Sequence, residues 1–74
     1  METKDLKNEI RSYIVKKGFS VQKVVDALNQ KYGRNDSGQN LTNKLHRGTL
    51  KYKEVLEIAD ILGYKIQWVE IEKD

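Results

Sequence analysis

Cysteine is absent from the 74 residues, so the chain has no disulfide and no thiolate metal ligand; this fits a reducing compartment, and the cytoplasm is the expected location. There is one histidine, His46, too little for a His-based catalytic or metal constellation. The acids follow no D-x-D-x-D-G metal-loop spacing, and no glycine-rich loop is placed to cradle a phosphate. Apolar runs approaching 18 residues are missing, and the start of the chain lacks a charged-then-apolar leader, so neither secretion nor membrane insertion is expected. Together these absences argue against an enzyme, a cofactor or a metal. A chain this short forms one domain, burying only about 60% of its unfolded surface, and gains from a partner.

What the chain does have is charge in an uneven arrangement. Its net charge is only +3. From Lys16 to Lys53, however, nine basic residues face two acids, a local balance of +7. From Glu54 to Asp74 two lysines face six acids, a balance of −4. A cationic middle of this kind suits a polyanion. Glu54, Glu57 and Asp60 follow at helical spacing, which the sequence alone assigns to a solvated face.

Apolar periodicity predicts four helices. Leu6, Ile10, Tyr13 and Ile14 form a stripe within a helix over about 3–17, closed by Gly18. Ser20 caps a second helix over about 20–32, with Val21, Val24, Val25, Leu28 and Tyr32 facing inward and Gly33 ending it. A polar turn, Gly33 to Gly38, leads to a third helix over about 37–47, started by Ser37 with Asn40 or Asp36 with Gln39 and ended by Gly48. Thr49 is the expected cap of the fourth, about 50–62, which is the most apolar: Tyr52, Val55, Leu56, Ile58, Ala59, Ile61 and Leu62 are expected inside. Gly63 closes it.

Tyr64 to Glu72 is rich in aromatic and β-branched residues, which predicts a strand over about 65–71. A lone strand needs a partner. Pairing with a second copy would make Ile66, Trp68, Val69 and Ile71 a homodimer interface; the alternative is a tail packed on its own helices, with Trp68 plugging the core edge.

The third helix organises the rest. Leu41 and Leu45, four residues apart, anchor one face. The other carries Gln39, Asn43, His46 and Arg47, with Asn40 and Lys44 on its flanks. Amides pair bidentately with adenine edges, while guanidinium and ammonium groups pair with guanine or phosphate. His46 is either a phosphate contact or a plain surface residue.

Gly18-Phe19-Ser20, the valine-rich helix after it, Leu45-His46-Arg47-Gly48 and Val55-Leu56-Glu57-Ile58-Ala59-Asp60-Ile61-Leu62-Gly63 occur in an order that resembles the lambda repressor-like, or Cro-type, helix-turn-helix family. The resemblance spans roughly Ile10 to Ile66. It implies an all-α fold, a compact four- to five-helix domain, to which the residues add a short C-terminal β-strand. It also implies that the third helix enters a major groove. Gln39, Asn40, Asn43, Lys44 and Arg47 then fall at base-reading positions, the last two nearer the flanking backbone. Ser20, Gln22, Thr49, Lys51 and Tyr52 resemble phosphate-clamping positions. The chain departs from the family in having Val21 directly after Ser20, a longer turn between the second and third helices, and a four-residue Leu41–Leu45 spacing.

The expected function is therefore a sequence-specific transcriptional regulator of phage or mobile-element type, a dimer on double-stranded DNA. The alternative is a protein-binding module on the same scaffold, such as an antitoxin or an inhibitor of a host defence enzyme.

Overall fold

Four helices form where the apolar stripes and glycine stops place them: α1 (Thr3–Lys16), α2 (Val21–Tyr32), α3 (Gly38–Arg47) and α4 (Tyr52–Leu62). The computed structural model describes the backbone of residues 3–72 and the side chains of residues 7–72; Leu6 of the first stripe lies outside the described side chains.

Each helix contributes two buried apolar residues to a single core: Ile10 and Ile14, Val24 and Val25, Leu41 and Leu45, Ile58 and Leu62. In three of the helices the pair is four apart, so both side chains project from one face a turn apart. In α2 the pair is adjacent, and these valines, mediocre helix formers, sit at the meeting point of α2 with both α3 and α4. Burial rather than propensity stabilises that helix. α1 closes the core against α3, and Phe19, Val21, Leu28, Leu50, Val55 and Tyr64 pack around it.

Four glycines, at 18, 33, 48 and 63, end the helices in the left-handed conformation. At the end of α1, the Gly18 N–H donates to the Val15 carbonyl at 2.9 Å and the Phe19 N–H to the Ile14 carbonyl at 3.0 Å, so two terminal carbonyls are satisfied.

The all-α class holds, but the expected C-terminal strand does not. Among the described residues there is no strand: from Tyr64 to Glu72 the chain is neither helical nor paired. The apolar, β-branched composition that suggested a strand supplies side chains but no ladder, and this single chain offers no edge to complete one. Trp68 does not plug the core edge either; it is 86% exposed. Tyr13, Tyr32, Tyr52 and Leu56, expected inside, lie at the surface: Leu56 falls nearly opposite Ile58 and Leu62 on α4, Tyr13 flanks the Ile10–Ile14 stripe, and Tyr32 and Tyr52 are the last and first residues of their helices, at the edge of the core.

Candidate nucleic-acid interface

α3 is short and polar, and its ends are well satisfied. Ser37 Oγ accepts the Asn40 N–H at 3.1 Å, which selects the Ser37 cap over Asp36. Lys44, His46 and Arg47 crowd the last turn, where cations complement the helix dipole. Leu41 and Leu45 are buried and Gln39, Asn40, Asn43, His46 and Arg47 exposed, so the amides face solvent. Asn43 stands opposite the leucine pair. Gln39 Nε2 donates to Asn43 Oδ1 at 3.0 Å across one turn. That bond leaves the Gln39 carbonyl oxygen as an acceptor and the Asn43 amide as a donor, the complement of an adenine major-groove edge.

The starts of α2 and α4 flank α3. Gly38 lies so close to α2 that a Cβ there would fall 2.4 Å from Gln22 Oε1. Gln22 is thereby beside the α3 N-terminus, with its Nε2 donating to Asp26 at 2.9 Å, while Ser20 caps α2, its Oγ accepting the Lys23 N–H at 3.1 Å. On the other flank, Lys44 Nζ donates to Glu54 Oε2 at 2.6 Å, drawing this base-reading candidate toward α4. α4 is capped at Lys51 rather than at Thr49, and Glu54 Oε1 accepts the Lys51 N–H at 3.0 Å. Thr49, Lys51 and Tyr52 remain exposed there. Helix N-termini carry partial positive charge and free N–H groups, which suit anions.

The turn between α2 and α3 is held by a residue the sequence did not single out. Asn29 donates to the Asp36 carbonyl at 2.9 Å and accepts the Asp36 N–H at 3.0 Å. An amide one turn before a helix-ending glycine is the only sequence hint of this clasp. It gives the long turn a defined shape.

Electrostatically, the separation of charge along the chain is partly undone in space. Lys31, Arg34 and Lys44 pair with Asp60, Glu57 and Glu54 respectively. Glu57 and Glu54 thus brace α4 to the turn and to α3 rather than forming a solvated face, whereas Asp60 meets Lys31 of α2 in a pair that stays open to solvent. Glu57 is only 8% exposed, and its carboxylate receives both Arg34 Nη atoms. That hydrogen-bonded guanidinium, working against burial and helped by the charges of Arg34 and Lys53, holds Glu57 below its ordinary pKa. For Glu54 burial opposes ionisation, but the Lys44 and Lys51 N–H donors and the charges of both lysines outweigh it, and its pKa is also lowered. Lys23, Arg47, Lys51 and Lys53 take part in no ion pair among the described residues.

The segment expected to form a dimer strand passes near this surface. Trp68 Nε1 donates to Tyr52 Oη at 3.2 Å, with the ring centroids 6.5 Å apart, while Val69 and Ile71 are 75% and 80% exposed and Ile66, 39% exposed, lines the groove beside α1.

Residues 3–66 match the sequence family described as a domain of unknown function, DUF6471. The chain belongs to that family. No curated protein and no solved structure matches it. The DUF6471 description names no activity, so a functional reading of this member rests on its geometry. The match ends at Ile66, within the unpaired segment that follows α4. No helix among the described residues is long and apolar enough to cross a membrane.

Proposed function

We propose that this domain binds double-stranded DNA sequence-specifically, as a transcriptional regulator of phage or mobile-element kind, with α3 in the major groove. The observation that carries the reading is the exposed Gln39–Asn43 couple at the centre of a rigidly docked α3, flanked by the starts of α2 and α4. Asn40 and Arg47 lie along one flank of the couple as further base or edge contacts, and Ser20, Gln22, Thr49, Lys51 and Tyr52 border it as phosphate contacts. The ordered resemblance to Cro-type domains supports the same assignment.

Affinity comes from the cations that α4 does not engage. If Lys23, Arg47, Lys51 and Lys53 each meet one phosphate, log K falls against log salt with a slope of about −3 to −4 per copy. The test is selection of bound duplexes from a random pool, followed by a salt titration of the winner. An enriched motif with that slope is the expected result. Absence of any duplex binding at low salt overturns the reading and directs attention to a protein partner, such as the toxin of an antitoxin pair or a host defence enzyme.

A further inference from the structure

An open apolar groove of about 410 Å³ runs between α1 and α4, floored by Ile10, Val55, Ile58, Ala59 and Leu62 and edged by Tyr13 and Tyr64. A cavity of ~150 Å³ holds one benzene, so this one accommodates two or three apolar side chains. We infer that it receives Val69 and Ile71 of a second copy's C-terminal arm, in a reciprocal two-fold exchange.

The groove and the arm fit in shape and charge. Taken up in extended form, Val69 and Ile71 share one face, and Glu70 and Glu72 the other. Glu9 and Lys65 are the charged residues lining the groove, and beyond its tyrosine edge, where α1 ends, the rim is cationic: Lys16 Nζ lies 5.1 Å from the Tyr13 ring centre and Lys17 Nζ lies 4.8 Å from that of Tyr64. Acidic residues flanking the buried pair would meet those ammonium groups.

The chain's own arm is poorly placed to fill the groove. After Gly63 it returns alongside α4, lines the groove at Ile66 and reaches Tyr52, at the start of that helix, through Trp68. Residues 69–72 would then have to reverse direction at once, and Val69-Glu70-Ile71-Glu72 contains no turn-forming residue. A second copy meets no such obstacle. Exchange satisfies both copies by one repeated contact, which is the logic of an isologous dimer.

Sedimentation equilibrium of the full chain tests this, with circular dichroism verifying helix content. The wild type is expected at twice the 8.6 kDa chain mass. Val69→Asp with Ile71→Asp removes the arm's apolar face, and Ala59→Phe fills the groove; each is expected to weaken the dimer roughly 100-fold with helicity intact. Mixing the two variants recovers part of the association, because the intact arm of one fits the intact groove of the other and restores one of the two contacts. A wild type that is monomeric at millimolar concentration overturns the inference. So does a dimer indifferent to both variants, or a mixture that fails to associate. None of these readouts involves DNA, so they stand apart from the proposed function.

Discussion

Arg34 and Glu57 form a two-pronged ion pair that ties the α2–α3 turn to α4, with guanidinium nitrogens 2.8 and 2.7 Å from the two carboxylate oxygens. Because the folded state depresses the Glu57 pKa, the pair's stabilisation is complete above the unfolded value and is lost as pH falls through the folded one. Thermal melts should show stability falling below about pH 5. Glu57→Gln is expected to lower Tm at neutral pH by about 5–10 °C while flattening that acid limb. A variant with an unchanged acid limb would show that Glu57 does not govern it.

Gln39 and Asn43 act as a unit. Gln39→Ala and Asn43→Ala should each cost roughly 1–3 kcal/mol on the preferred duplex and much less on random DNA. The double variant should cost less than the sum, since either change already breaks the couple. Equilibrium titrations with both duplexes check this; equal losses on the two would remove the readout role.

Lys51 and Lys44 should behave oppositely, although both are lysines of the candidate interface. Lys51→Ala is expected to weaken all duplexes alike and to lower the salt slope by about one. Lys44→Ala should leave the slope unchanged, because its ammonium is already held by Glu54. A slope change in both would mean that DNA displaces the Glu54 contact.

Gly48 ends α3 at φ 69°, a conformation that disfavours a side chain. Gly48→Ala is expected to cost about 1 kcal/mol in urea unfolding. Gly38→Ala should be milder, since its Cβ displaces only the flexible end of Gln22. Leu45→Ala, at a fully buried position, sets the upper mark at about 3 kcal/mol.

The helices were legible because period and punctuation agreed. Ile10 with Ile14, Leu41 with Leu45, and Ile58 with Leu62 mark inward faces, and a glycine follows each helix. The α4 brace was not legible, since whether Glu54, Glu57 and Asp60 meet water or cations depends on contacts 10 to 29 residues away. The strand failed for a related reason: Ile66 to Ile71 carries the composition of a strand, but pairing is a property of two segments. Around α3, spacing identified the outward amides, while the swing of Lys44 toward α4 and the Asn29 clasp required the fold.

The chain has a single indole, and it stands almost bare on the arm while touching Tyr52 at the border of the candidate DNA surface. Its emission is therefore a native optical reporter of that corner of the molecule. Arm uptake by a neighbour should shift the fluorescence toward the blue as protein concentration rises, and a duplex lying over Tyr52 should quench it, so the two events can be followed in one cuvette without a label.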